Sequence, residues 1–137
     1  HLRQLRAECQ MVSANRPDRV DSLIDISRRD LIVAFDYRRY QVDTIQFVTA
    51  AVERGAQVIL FTDPWASPLV ACAKVVLTAP VEGPSPFDTM VPALAQVEAL
   101  IAAVTTRPCA TQPGALVSWS EYTVWIESMT ATAGCTL

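Results

Sequence analysis

The sequence predicts a single α/β domain in which helices cover both faces of a parallel sheet. Residues 31–35 and 58–61 are continuously apolar and flanked by polar residues, a pattern typical of strands buried on both faces. Between them, residues 41–54 carry apolar side chains at helical spacing, and Gly55 follows as a helix stop. Strands alternating with helices form βαβ units, so we expect a three-layer αβα domain.

The other elements follow from the same two patterns. They are an extended segment at 9–13, a helix over 17–27, a short helix over 68–73, a strand at 75–78 and a helix over 86–104. Asn15, Ser67 and Ser85 stand where N-caps are expected, and the last two precede a proline. Pro92 is expected to kink the last helix, because it lacks an N–H group.

Residues 108–137 allow two interpretations. Trp119, Tyr122, Ile126 and Met129 form a stripe at helical spacing, whereas the segment 122–126 also has the composition of a β-strand. We therefore treat 108–137 as an extension of uncertain structure, separate from a domain over 1–107.

Composition and charge exclude several classes of protein. The 137 residues are 51% hydrophobic and 18% charged, which is unlike a disordered tail. No apolar run approaches the ~20 residues of a membrane helix. A net charge of −3 argues against a free-standing nucleic-acid binder.

Cysteine usage points to a cytoplasmic protein with reduced thiols. None of the four cysteines, Cys9, Cys72, Cys109 and Cys135, has C-x-x-C spacing, and His1 is the single histidine. A tetrahedral zinc site needs closely grouped ligands, so we expect no metal. No motif calls for a cofactor either.

An ordered set of motifs runs through the first two thirds of the sequence. It comprises the apolar strand 31–35 with the loop Asp36-Tyr37-Arg38-Arg39-Tyr40, then Thr62-Asp63, Ser67-Pro68-Leu69 and the segment 86–90. This set resembles the SIS (sugar isomerase) domain of RpiR/MurR-type bacterial transcriptional regulators. The resemblance covers about residues 1–106 and implies a flavodoxin-like fold. In that family a helix-turn-helix domain is joined to an SIS domain that senses a phosphosugar or a related metabolite.

The resemblance also implies where a ligand binds. SIS domains usually place small hydroxyl residues and a glycine after the strand that here ends at Phe35, and these cradle a phosphate. Here Asp36 and Arg38 take the serine positions, Arg39 the glycine position and Gln41 the threonine position, while Thr44 keeps a later hydroxyl. Asp36 disfavours phosphate, whereas Arg38 and Arg39 offer donors to an anion. The alternative is an Asp36–arginine ion pair that fixes the loop without a ligand.

Three further residues are candidates for the same site. Thr62 either lines the pocket or simply ends a strand, and Ser67 is more simply a helix cap than a ligand contact. Tyr40 either stacks on a ligand or packs against the next helix. No residue is assigned a catalytic role, because nothing marks Glu82 or His1 as the base an isomerase needs.

The expected function is therefore an effector domain that binds an anionic sugar derivative and forms homo-oligomers. It would contact DNA only through a helix-turn-helix domain that lies outside this sequence. The alternatives are an aldose–ketose isomerase and a degenerate dimerisation module. Residues 1–6 look like the last turn of a helix, and the first SIS strand has no counterpart in 1–107. We therefore expect segment 9–13 either to lie directly beside 31–35 or to be detached, in a chain prone to associate.

Overall fold

The computed structural model describes residues 1–5, 8–13, 15–106 and 123–126. Its helices are α1 (Leu2–Leu5), α2 (Arg16–Asp25), α3 (Val42–Glu53) and α4 (Val91–Thr106), with a 3₁₀ turn at Pro68–Ala71. Its strands are β1 (Cys9–Met11), β2 (Asp30–Asp36), β3 (Gln57–Thr62), β4 (Val75–Thr78) and β5 (Thr123–Ile126). Of the two interpretations of 108–137, the strand is confirmed at 123–126, and the rest of that segment lies outside the described residues.

The strands form one parallel sheet in the order β1-β5-β2-β3-β4. Leu31 pairs with Gln57 and Asp36 with Thr62, so β2 and β3 end at the same edge. β4 continues the sheet in parallel beside β3. The predicted α/β class and the parallel, adjacent arrangement of these three strands are confirmed.

The position of β5 was not expected, because segment 9–13 was predicted to lie beside strand 31–35 or to be detached. β5 lies between β1 and β2 and pairs in parallel with both, with Val124 opposite Cys9 on one side and Leu31 on the other. The prediction that segment 9–13 would lie directly beside β2 or be detached is therefore wrong. The reason is that the backbone edge of β2 is satisfied by a strand from the far end of the chain.

Two apolar cores cover the two faces of the sheet. On one face Ile32, Val58 and Leu60 pack with Phe47 and Val48 of α3. On the other face Phe61 and Ile59 pack with Leu2 of α1 and with Val97 and Leu100 of α4. This is the expected three-layer αβα arrangement, and it leaves the strand-to-helix loops free to form a site.

The start of the last helix was predicted wrongly. α4 begins at Val91 rather than at 86, because the Ser85 hydroxyl accepts the Phe87 N–H in a local turn instead of capping a helix. Pro92 therefore lies in the first turn, where no intrahelical partner for its nitrogen is needed, and the predicted kink has no cause. The helix stop at Gly55 is confirmed, since its φ of 99° is one that a side chain would strain.

Candidate ligand site

Three loops meet beyond the carboxyl ends of β2 and β3. They are 36–41, 62–67 and 80–90, and each follows a strand of the parallel sheet. The Arg38 N–H donates to Asp63 of the second loop, and the Arg38 guanidinium bridges to Asp88 of the third. In parallel α/β sheets this edge is where ligands bind, so the convergence marks the candidate site.

Asp36 ends β2 with its carboxylate turned into the protein. One oxygen, Oδ1, accepts the Gln41 N–H at 3.2 Å, and Oδ2 accepts the Ser67 hydroxyl at 2.5 Å. The residue is only 3% exposed, and desolvation by this burial raises the pKa of its carboxyl. Gln41 is the N-cap residue of α3, so a negative charge at this point also faces the positive end of the helix.

Thr62 and Ser67 hold the second loop against Asp36. The Thr62 hydroxyl donates to the Asp36 carbonyl at 2.8 Å and accepts the Ser67 N–H at 3.2 Å. The Ser67 hydroxyl also accepts the Leu69 N–H, so its predicted role as a cap is confirmed at the 3₁₀ turn. Both hydroxyls are buried and face residues of the chain itself.

Asp63 joins the first two loops. Its Oδ2 accepts the Arg38 N–H at 2.5 Å, while Oδ1 accepts the Tyr40 hydroxyl at 2.6 Å and the Trp65 N–H at 3.1 Å. Asp63 is fully buried. Carboxylates that accept several hydrogen bonds in a dry environment order the groups around them, so Asp63 fixes both loops.

Both loops adopt backbone conformations that side chains rarely take. Arg38 has φ 59°, Tyr40 has φ 39° and Ala66 has φ 64°. Residues other than glycine occupy this region only when their surroundings impose it. Asp63 bonds to Arg38 and Tyr40 directly, which identifies it as the group that imposes two of the three conformations.

Three exposed residues, Arg38, Arg39 and Trp65, form the solvent-facing rim of the site. The guanidinium carbon of Arg38 is 4.4 Å from the centre of the Trp65 ring, and the Arg38 Nε is 3.1 Å from Asp88 Oδ1. Trp65 as a residue is 51% exposed. Arg39 is exposed too, and within the described part of the chain its guanidinium forms no ion pair. The rim therefore offers an aromatic ring and two cations to solvent.

The other two predicted residues, Tyr40 and Thr44, contact the chain itself. The Tyr40 hydroxyl donates to Asp63, and desolvation together with this bond raises the pKa of Tyr40 to about 12. Thr44 is buried in the first turn of α3. The Asp36–arginine ion pair, which was the alternative to a ligand contact, is absent from the described residues, where Arg38 pairs with Asp88 instead.

Reasoning from sequence missed Asp63, Trp65 and Asp88 as parts of this site. Asp63 and Trp65 follow β3 directly, so position in a strand-to-helix loop was an available signal for both. Asp88 was assigned to a helix start, which hid its place in the third loop. Among the described residues, no group of histidine, cysteine or carboxylate side chains could hold a metal ion.

Comparison with known proteins supports the family that the motifs indicate. The model of the SIS domain family matches residues 1–103. The SIS domain of an RpiR transcription factor from Sphaerobacter thermophilus, solved by crystallography, is similar at 29% identity with a TM-score of 0.61. That match covers 65% of this chain and 50% of the solved one, so the chain spans about half the length of that relative.

A search among curated proteins finds no significant match. Within the described residues no helix is long and apolar enough to cross a bilayer. The matched family model covers most of the sequence, including strands β1 to β4 and the loops at their carboxyl ends, whereas β5 lies beyond the match. The chain belongs to the SIS domain family and is similar to the SIS domain of RpiR-type transcription factors.

Proposed function

We propose that the chain is the effector domain of a transcriptional regulator and that it binds a carbohydrate derivative at the rim of the three loops. The observation that carries the proposal is the rim itself, where Trp65, Arg38 and Arg39 stand on loops that Asp63 ties together. Membership of the SIS family supports it. So does the similar solved domain, which is a transcription factor's.

The chemistry of the rim suits an anionic sugar derivative. A half-exposed indole ring offers an apolar face to the C–H groups of a sugar ring, as aromatic side chains do in small-molecule sites. Arg38 and Arg39 supply guanidinium groups, which bind carboxylate or phosphate oxygens in pairs. Arg39 supplies the charge most readily, because no described residue competes for it in an ion pair.

The shielding of Asp36 and Asp63 from solvent favours sensing over isomerisation. An aldose–ketose isomerase needs a base within hydrogen-bond reach of the substrate. Asp36 is 3% exposed and Asp63 is fully buried, and both already accept hydrogen bonds from the chain. Their arrangement stabilises the loops, which is what a binding domain needs.

The wider role is part of the same proposal. Contact with DNA would be made by a helix-turn-helix domain of the full regulator, in the cytoplasm, with SIS domains forming the homo-oligomer. The net charge of −3 supports a DNA contact that lies outside this chain.

Replacing Arg39 by glutamine tests the proposed ligand contact. We expect Arg39→Gln to weaken binding of an anionic sugar derivative by about tenfold or more, because a charge-assisted hydrogen bond is lost. The measurement is calorimetry with a panel of sugar acids and sugar phosphates. The matched control is Arg29→Gln, which removes an exposed arginine just before β2, at the opposite edge of the sheet. Equal affinities of the two variants for every ligand that binds would contradict the proposed site.

A further inference from the structure

Two hydrogen-bond donors at the start of α3 are already used by the chain. The Gln41 N–H and the Ser67 hydroxyl both donate to the Asp36 carboxylate. A carboxylate therefore lies where the helix terminus and a serine hydroxyl would otherwise favour a ligand's anion.

The carboxylate of Asp63, which is also buried, uses three further hydrogen-bond donors. Asp63 accepts the Arg38 N–H, the Tyr40 hydroxyl and the Trp65 N–H. Burial is the main cause of the raised pKa of the Asp36 carboxyl, and the negative charge of Asp63 raises it further. A phosphate in this interior would meet two like charges and no free donor among these groups.

The rim carries positive charge, whereas the interior carries the two carboxylates of Asp36 and Asp63. Arg39 is exposed and without an ion pair among the described residues, while Arg38 is shared between Trp65 and Asp88. A single guanidinium matches one carboxylate in a bidentate pair. A dianionic phosphate would be repelled more strongly than a monoanion by Asp36, Asp63 and Asp88, which lie behind and beside this rim.

We propose that Asp36 is a specificity-determining residue that occupies the anion position at the start of α3 and thereby excludes sugar phosphates. The ligand class is a sugar acid, whose ring lies at Trp65 and whose single carboxylate contacts Arg39. This inference rests on the proposed function for the sugar, whereas the exclusion of phosphate at Asp36 does not depend on it.

The test follows backbone amide resonances of the 137-residue chain during titration with inorganic phosphate. In the unaltered protein the Gln41 amide is expected not to shift saturably. In Asp36→Ser, and more weakly in Asp36→Asn, the Gln41 and Ser67 amides are expected to shift saturably, with a gain in affinity of roughly tenfold or more. Asp43→Asn is the matched control, because it removes an exposed carboxylate from the first turn of the same helix.

Several results would overturn the exclusion of phosphate. They are a saturable shift of the Gln41 amide in the unaltered protein, no gain in either Asp36 variant, or an equal gain in Asp43→Asn. The first is decisive even where a variant fails to fold.

A matched pair of sugars tests the ligand class. Glucuronate should bind the unaltered protein more tightly than glucose 6-phosphate, and Asp36→Ser should reverse or narrow that preference. Tighter binding of glucose 6-phosphate to the unaltered protein would overturn the inference. Absence of binding by every sugar tried would contradict the proposed function, and the phosphate titration would still decide the role of Asp36.

Discussion

Asp63→Ala is expected to lower the free energy of unfolding by about 3 kcal/mol or more, the largest effect of any single side chain at the edge of the sheet. The substitution leaves the Arg38 N–H, the Tyr40 hydroxyl and the Trp65 N–H without their acceptor, and all three lie at or near the buried Asp63. It also removes the group that holds Arg38 and Tyr40 in left-handed conformations.

Urea denaturation followed by far-UV circular dichroism measures this effect. Asp88→Ala is the matched control: it removes the other carboxylate that contacts Arg38, but from an exposed pair, so a loss below about 1 kcal/mol is expected. Asp63→Asn should fall between the two, because an amide oxygen can still accept hydrogen bonds. If Asp63→Ala were no more destabilising than Asp88→Ala, Asp63 would not be the residue that fixes the loops.

Val124→Pro is expected to destabilise the sheet by about 3 kcal/mol or more, or to prevent folding. Val124 is paired with Cys9 on one side and with Leu31 on the other, so its N–H is needed whichever neighbour it faces. Loss of β5 would also leave the edges of β1 and β2 without a partner and promote association between chains.

Val75→Pro provides the comparison for this prediction. Val75 begins the edge strand β4, and because Lys74 donates its N–H to Val58, the N–H of the next residue points away from β3. A proline at Val75 therefore removes no ladder bond and should be tolerated far better. Thermal unfolding compares the stabilities of the two variants, and size-exclusion chromatography compares their tendency to associate. Similar stabilities would contradict the central position of β5.

The sequence predicted the local elements of this fold better than their order in the sheet. The runs 31–35 and 58–61 identified β2 and β3, because burial on both faces requires continuous apolar residues. No local pattern could place β5 between β1 and β2, because strand order depends on pairing between segments far apart in the chain. The start of α4 was missed for a related reason, since Ser85 and Pro86 favour a local turn as readily as a helix.

In the candidate site, too, the sequence identified residues close to predicted strands but not the partners that they contact. Asp36, Arg38 and Ser67 were found from sequence because they follow predicted strands at positions that the family marks. Their partners were not found: the pairing of Arg38 with Asp88 spans fifty positions, and it forms only when the third loop approaches the first. Asp63 belongs to one of the family motifs, but its role in fixing the loops is evident only from its burial and from its three hydrogen-bond donors.

The claim that this edge of the sheet binds a sugar derivative is tested most directly by mapping amide and indole N–H shifts on addition of a panel of sugar acids and sugar phosphates. Trp65→Phe identifies the Trp65 indole resonance. We expect at least one sugar to produce saturable shifts concentrated in residues 36–41, 62–67 and 80–90, with the Trp65 indole among the most affected. Shifts concentrated instead around Arg28, Arg29 and Gly55 at the opposite edge, or no saturable shift with any sugar, would contradict it.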